Sequence, residues 1–165
     1  MAQDAGEIRY LLDRAAIQDV LARYFQGIDR CDPDQVRSCF TDDVQAHYDE
    51  RPPIRGIKEL MAGFRTFQRR KEGTMKITTH FMGNLNIRLI RGDMAETETN
   101  AIAFLVDPDD RVNMRSLRYI DRLRRDGDGW KICDRVHTLD WSCCLPANFV
   151  RPWQQRVSEL PLGKG

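Results

Sequence analysis

Hydrophobic positions recur at three- and four-residue steps over residues 8–28, and the period changes to two after residue 74. The first pattern is typical of an amphipathic helix with one side against a core. Gly27, near the end of this helix, predicts close packing against a neighbouring element. The predicted inward positions are Ile8, Leu11, Leu12, Ala15, Ile17, Leu21, Tyr24, Phe25 and Ile28.

The stretch between the two patterns predicts two more helices and one strand. Asp32 suits an N-cap, Pro33 the first helical position, and Gln35 the reciprocal bond of a capping box. Pro52 and Pro53 interrupt the chain further on. The predicted elements are a helix from Pro33 to Phe40, a turn at 41–43, a strand from Val44 to Tyr48 and a helix from Gly56 to Arg70.

The two-residue period after Thr74 is typical of strands. Gly83 interrupts it and predicts a bulge, and the glycine-rich run 126–129 predicts a hairpin turn. The residues from Ser142 onward show no clear period. The predicted strands are 75–82, 84–90, 95–106, 111–125 and 130–141, followed by a C-terminal tail at 142–165.

Helices that precede a run of antiparallel strands indicate an α+β fold. We expect a single domain over residues 1–165, with its core at 8–141. The predicted architecture is a cone-shaped α+β barrel, in which a curved antiparallel sheet is wrapped by the N-terminal helices. Such a cone encloses a pocket where a small ligand binds.

Composition and charge argue against several classes of partner. The 26 Lys and Arg residues are balanced by 25 Asp and Glu, for a net charge of +1. This balance provides no overall field for nucleic acid or for an anionic membrane. No apolar run approaches the roughly 20 residues that span a bilayer, and the start MAQDAGEIRY does not resemble a signal peptide.

The five cysteines do not suggest a metal site or a disulfide framework. Their number is odd, two of them are the neighbours Cys143 and Cys144, and no CxxC pair occurs. We expect reduced thiols in a cytoplasmic protein, and the sequence assigns no role to the vicinal pair. His47 and His137 lack metal-ligand spacing, so no metal is expected.

Asp29 and His80 are the residues most suggestive of chemistry. Asp29 follows the apolar run of the first helix, and a carboxylate on a buried face needs a partner. His80 lies in the strand segment ITTHFMGN. Asp29 could instead cap the chain beside Arg30, and His80 could be an ordinary strand residue. If the two pair, the carboxylate fixes the imidazole tautomer and the histidine abstracts a proton near neutral pH.

Three parts of the sequence carry a resemblance: the first helix with its terminal Asp29, the segment His80-Phe81-Met82-Gly83-Asn84, and the ending Tyr119-Ile120-Asp121…Trp130-Lys131-Ile132. Together they resemble the SnoaL-like branch of the nuclear transport factor 2-like superfamily. The resemblance covers about residues 8–141. That branch includes scytalone dehydratase, hexachlorocyclohexane dehydrochlorinase and bile-acid 7α-dehydratase. The resemblance implies a cofactor-independent lyase with an Asp29–His80 dyad in a cone-shaped pocket.

Two tyrosines are carried over by the same resemblance. Tyr24 matches a tyrosine five residues before the dyad aspartate, and Tyr48 resembles one that holds a substrate oxygen. Five residues on a helix correspond to about 140°, so Tyr24 and Asp29 reach one pocket only if the helix frays near Gly27. Tyr24 could equally be helix core, and Tyr48 an aromatic strand anchor.

The function expected from the sequence is a lyase of the dehydratase type, without a cofactor, acting on a small cyclic or polycyclic hydrophobic substrate. An isomerase would use the same dyad. A non-catalytic β-like subunit of a ring-hydroxylating oxygenase and a plain ligand-binding protein are further alternatives. The resemblance implies a homodimer or homotrimer. The expected pocket walls are Phe25, Phe64, Met82, Phe104, Leu117, Tyr119 and Trp141.

Overall fold

The structure is a computed structural model that describes residues 2–49, 51–127 and 129–145. No helix in these ranges is both long enough and apolar enough to span a membrane. The helices are α1 (Ala2–Arg30), α2 (Pro33–Ser38), α3 (Ile57–Gly63) and α4 (Arg65–Lys71). The strands are β1 (Phe40–Tyr48), β2 (Ile54–Arg55), β3 (Ile77–Arg91), β4 (Met94–Val106), β5 (Val112–Asp126) and β6 (Gly129–Leu145).

Helix α1 is longer than predicted and buries a shorter part of its length. Ile8, Leu11 and Leu12 are exposed, and the buried apolar side begins at Ile17. Gly27 allows α1 and α2 to approach closely, because a Cβ atom at this position would lie 2.7 Å from Cγ2 of Val36. The close packing predicted at Gly27 is therefore confirmed.

The third predicted helix is two short helices. Phe64 separates α3 from α4 with non-helical backbone angles of φ −74° and ψ 87°. Its ring packs against Tyr24 and Tyr48, with centroid distances of 6.4 Å and 6.3 Å. The break thus coincides with an aromatic contact in the core, which the helical period of the sequence does not reveal.

The sheet has six strands in the order β2-β1-β6-β5-β4-β3, and the N-terminal helices pack on it. The α+β class is confirmed. The sheet is curved but open rather than closed into a barrel, and it is mixed, because β1 pairs in parallel with β6. The expectation of a wholly antiparallel sheet is wrong at this pair, since two strands distant in sequence become neighbours there.

Bulges in the long strands change which residues face the helices. The register of β3 shifts between Met82 and Leu85, as Gly83 predicts. Two further shifts lie between β5 and β6. Strand β6 continues four residues beyond the predicted end at Trp141, to Leu145. The rest of the predicted tail, 146–165, lies outside the described residues.

Candidate active site

A pocket of about 430 Å³ lies between the concave face of the sheet and the helices. This volume suits a small organic molecule. Residues from both layers line it, including Ile28 of α1, Leu60 of α3 and Leu117 of β5. Ala103, in the central part of β4, is one of the lining residues, and its small side chain leaves space where a larger one would fill the cavity.

Asp29 and His80 meet at one side of this pocket. Oδ1 of Asp29 lies 2.7 Å from Nδ1 of His80. Oδ2 of the same carboxylate accepts the backbone N–H of His80 at 2.7 Å, and the Thr78 hydroxyl donates to Oδ1 at 3.0 Å. Three contacts therefore fix the carboxylate against β3, and the carboxylate fixes the plane of the imidazole.

This geometry determines which nitrogen of His80 is available. An ionised carboxylate only accepts hydrogen bonds, so Nδ1 carries the proton and Nε2 carries a lone pair. His80 lines the pocket, and no described residue forms a hydrogen bond with Nε2. Phe25 stacks on the imidazole at a centroid distance of 5.9 Å, which holds the ring from its other side. The arrangement can accept a proton from a ligand.

Three tyrosines, Tyr24, Tyr48 and Tyr119, also line the pocket. Burial raises the pKa of each phenol, and it raises that of Tyr24 well above its usual range. All three therefore remain neutral O–H donors at physiological pH. The Tyr48 hydroxyl is buried near Tyr24 and Arg135 but forms no hydrogen bond of good geometry within the described residues.

Tyr24 and Asp29 do not need a frayed helix to reach the site. Helix α1 is continuous to Arg30. Tyr24 lines the pocket directly, whereas Asp29 stands behind His80 and contacts β3. The two side chains leave the helix in different directions and lie at different parts of one site, so fraying near Gly27 is not required.

A buried ion pair lies beneath the tyrosines and has no counterpart in the predicted site. Arg135 donates to both oxygens of Asp121 at 2.7 Å and 2.8 Å, and both side chains are fully buried. The guanidinium lies 4.1 Å from the centroid of the Tyr24 ring and 4.8 Å from that of Tyr119. Burial opposes the charge of Arg135, but Asp121 outweighs it and holds the arginine pKa above its usual value.

His137 reaches the pocket from β6. Its ring contacts Tyr119 and Tyr48 at centroid distances of 4.8 Å and 5.1 Å. Burial lowers its pKa to about 4, although Asp49 lies 3.7 Å away. His137 is therefore neutral at physiological pH. Within the described residues, no three His, Cys, Asp or Glu side chains group as metal ligands.

The structure places the expected pocket walls unevenly. Phe64, Leu117 and Tyr119 line the pocket. Phe25 and Met82 do not line it. Phe25 packs beneath His80 and Tyr119, whereas Met82 packs against the core. These two assignments are corrected.

Phe104 and Trp141 lie on the outer face of the sheet, so their assignment to the pocket is wrong. Ala103 and Leu105 face inward, and strand alternation turns Phe104 outward. Trp141 pairs with Ser116, while Leu139 pairs with the inward-facing Leu117. The bulge between these pairs reverses the alternation of β6, and Trp141 is 49% exposed.

A similar shift explains why sequence reasoning missed Arg135. Trp130 and Ile132 face the core, and strict alternation would turn Arg135 outward. The register shift between Arg122 and Leu123 brings Arg135 inward, directly opposite Asp121. A single strand's pattern carries no sign of the shift. The signal available was the presence of Asp121 and Arg135 on strands that a hairpin joins.

The chain belongs to the SnoaL-like domain family within the nuclear transport factor 2-like superfamily, since the family model matches residues 9–136. It is 31% identical over 128 residues to the uncharacterized protein Rv2910c of Mycobacterium tuberculosis. The match covers 76% of this chain and 84% of the relative. The family predicted from the sequence is confirmed.

Solved structures with the same fold include three whose names carry an activity. The hexachlorocyclohexane dehydrochlorinase LinA-type3 of Novosphingobium barchaimii has a TM-score of 0.74 and 18% identity, covering 88% of this chain and 99% of the other. A candidate scytalone dehydratase of Novosphingobium aromaticivorans has a TM-score of 0.73 and 17% identity, covering 81% of this chain and 88% of the other. A candidate aromatic ring hydroxylase of the same species has a TM-score of 0.71 and 24% identity, covering 82% of this chain and 94% of the other. At these identities the likeness shows the fold.

Proposed function

We propose that the chain is a cofactor-independent lyase of the dehydratase type that acts on a small cyclic or polycyclic hydrophobic substrate. The observation that carries the proposal is the 2.7 Å contact between Asp29 and His80 beside an open pocket. A histidine held in one tautomer, with its second nitrogen toward a cavity, is the arrangement that general-base catalysis requires.

Nε2 of His80 removes a proton from the carbon next to a carbonyl group of the substrate. Asp29 keeps the imidazole oriented and stabilises the imidazolium that forms. The electron pair from the broken C–H bond moves onto the carbonyl oxygen as an enolate, and the Tyr48 or Tyr24 hydroxyl donates to this oxygen. The enolate then expels the β-hydroxyl, which takes the proton from His80 and leaves as water.

An isomerase shares the first half of this sequence. If the substrate has no β-hydroxyl, the enolate takes back the proton at another carbon, and a double bond or a stereocentre moves. The tyrosines that line the pocket with His80 suit both reactions, because each reaction passes through the same enolate. The two are separated by the products formed from hydroxylated and unsaturated cyclic ketones.

A non-catalytic role is the alternative of a different class. The name of one similar structure, an aromatic ring hydroxylase, suggests this alternative. A partner subunit or a plain binding protein has no need for a positioned base. Asp29 turned outward, or a pocket filled by side chains, would favour it. Asp29 is turned inward to His80, and the pocket is open, which supports catalysis.

The test is a screen of β-hydroxy cyclic ketones of one to four rings in D2O. Ultraviolet absorbance follows enone formation, and mass spectrometry follows deuterium at the α-carbon. We expect both signals with the unmodified protein and neither with His80→Asn. His47→Asn is the matched control, because His47 is exposed and outside the pocket lining. Deuterium exchange at the α-carbon without enone formation supports the isomerase. Full turnover by His80→Asn would contradict the mechanism.

Self-association, which the family resemblance implies, fits the outer face of the sheet. Phe81, Ile102, Ser116 and Trp141 pair in one row across four strands. Phe81 is 69% exposed and Trp141 is 49% exposed. We propose that this row is covered in a homodimer or homotrimer. Light scattering on Phe81→Ser compared with the unmodified chain tests this, and an unchanged mass would count against it.

A further inference from the structure

The pocket is strongly cationic in a chain whose charges otherwise balance. Four of the residues that line it are arginines, and among the described lining residues none is an aspartate or a glutamate. The whole chain carries a net charge of only +1. The four are Arg51 from the segment between β1 and β2, Arg65 and Arg69 from α4, and Arg115 from β5.

The pairing of these arginines differs from that on the outer face of the sheet. There Arg118 binds Glu98 and Asp140, Arg122 lies 3.5 Å from Glu96, and Arg124 binds Asp43. These three outer-face arginines are thus neutralised by carboxylates of the chain itself.

Of the pocket arginines, Arg69 binds Asp107 at 2.8 Å. Arg51, Arg65 and Arg115 form no ion pair with any residue in the described ranges. Guanidinium groups gathered around one cavity repel each other, and an anion between them removes that cost. The missing partner is therefore expected to come with the ligand.

The strand register gives the position of this charge relative to the base. His80 pairs with Ala103, and Ala103 pairs with Arg115, so the three lie in one row across β3, β4 and β5. Two strand spacings separate the Cα atoms of His80 and Arg115 by about 10 Å. A ligand of one or two rings spans that distance, with its reacting carbon at His80 and its other end at the arginines.

We propose that the substrate carries an anionic oxygen group, a carboxylate or a phosphate, that the pocket arginines bind while the ring lies at His80. This inference rests on the proposed function, whose substrate class it narrows. Both anions suit the planar guanidinium fork, which donates two parallel N–H bonds to a pair of oxygens. The apolar lining then binds the ring, and the arginines set its direction in the pocket.

The experiment compares three fluorescent probes with the same ring system: 2-naphthoate, 2-naphthyl phosphate and the neutral methyl 2-naphthoate. Dissociation constants are measured at low salt for the unmodified protein and for Arg65→Gln combined with Arg115→Gln. Arg88→Gln is the matched control, because Arg88 is an exposed arginine of β3 outside the pocket lining.

We expect one of the anions to bind the unmodified protein about tenfold more tightly than the ester, and the double variant to lose that preference. The preference should also shrink at about 0.5 M salt, where the screening length falls below about 5 Å. Arg88→Gln should keep it. The better anion identifies the source as carboxylate or phosphate. An ester that binds as well as both anions, an absence of binding by all three probes, or a double variant that keeps the preference overturns the inference.

Probe binding needs no turnover, so the two proposals fail separately. If the charge preference is absent while the ketone screen shows dehydration, the anionic substrate is wrong and the lyase stands. If the preference is present while no ketone reacts or exchanges, the lyase is wrong and the pocket is that of an anion-binding protein.

Discussion

Two aspartates close to the pocket each hold a nitrogen base at 2.7 Å, and the two pairs differ in almost everything else. Asp29 and His80 join the end of α1 to β3, with side chains 24% and 11% exposed. Asp121 and Arg135 face each other on β5 and β6, and neither is exposed at all. The first pair borders the cavity, whereas the second lies beneath its tyrosine wall.

The difference separates a pair that can exchange a proton from one that cannot. Histidine changes charge near neutral pH, and His80 lines the cavity. Arginine keeps its charge at all accessible pH values, and Asp121 occupies it with two hydrogen bonds. The first pair is suited to proton transfer, and the second holds the Arg135 guanidinium against the rings of Tyr24 and Tyr119.

Breaking the buried pair should have the largest effect. Arg135→Met leaves Asp121 as an unpaired buried charge and should lower the free energy of unfolding by about 3–5 kcal/mol. Urea denaturation followed by circular dichroism measures this. Arg135→Met combined with Asp121→Leu is the control and should recover most of the loss. A single variant as stable as the unmodified chain would contradict the buried-charge argument.

Removing the charge from the pair at the pocket should act on turnover instead. Asp29→Asn keeps the shape but can donate to Nδ1, which favours the wrong tautomer, and should lower kcat about 10²–10³-fold. Because the site is partly open, the free energy of unfolding should change by about 1 kcal/mol or less. Steady-state kinetics on any ketone found by the screen, with denaturation in parallel, checks both. Unchanged kcat would remove Asp29 from the mechanism.

His137 extends the comparison to a histidine whose carboxylate neighbour, Asp49, lies farther away, at 3.7 Å. Its pKa is lowered from 6.5 to about 4 by burial, so the unfolded chain binds the proton first. Its contribution to stability is complete above pH 6.5 and is lost as the pH falls toward 4, by up to about 3 kcal/mol. His137→Gln should flatten this part of the stability curve. Equal slopes for variant and unmodified protein between these pH values would show that His137 protonates normally.

The smallest expected effect concerns the hydroxyl that holds Asp29. Thr78→Val removes the 3.0 Å bond to Oδ1 without changing the shape of the side chain. Loss of one such hydrogen bond, worth about 1 kcal/mol, should lower kcat about fivefold with little change in KM. Thr79→Val is the matched control, because Thr79 is exposed on the same strand. Equal kcat for both variants would show that the other two contacts orient Asp29 sufficiently.

Local patterns predicted the elements well where one element decides its own structure. Asp32 accepts the backbone N–H of Gln35 at 2.9 Å, as the capping motif indicates, and the glycine at position 83 lies at a bulge. The side chain of Gln35 departs from the motif, because it donates to the backbone carbonyl of Arg23 on α1. A tertiary contact has replaced the local bond there.

Face assignments failed at the bulges. Alternation is a two-residue rule, and each inserted residue reverses it for the rest of the strand. Strict alternation from Trp130 and Ile132 turns Arg135 outward, whereas the shift between Arg122 and Leu123 brings it into the core. The expected place of Phe104 in the pocket lining is wrong for another reason. Its hydrophobicity favours a pocket wall, whereas the cavity exists because the smaller Ala103 faces inward.

The sequence by itself determined the α+β class and the order of helices and strands. Through its resemblance to a known family, it also indicated the family and the candidate dyad of Asp29 and His80. These follow from local periodicity, capping and short motifs, which need no knowledge of distant residues. Only the tertiary structure decided that the sheet stays open with a parallel pair, that Asp121 meets Arg135, and that arginines without an ion-pair partner among the described residues line the pocket. Each of these depends on strand register and on contacts between distant segments, which the spacing within a single element does not specify.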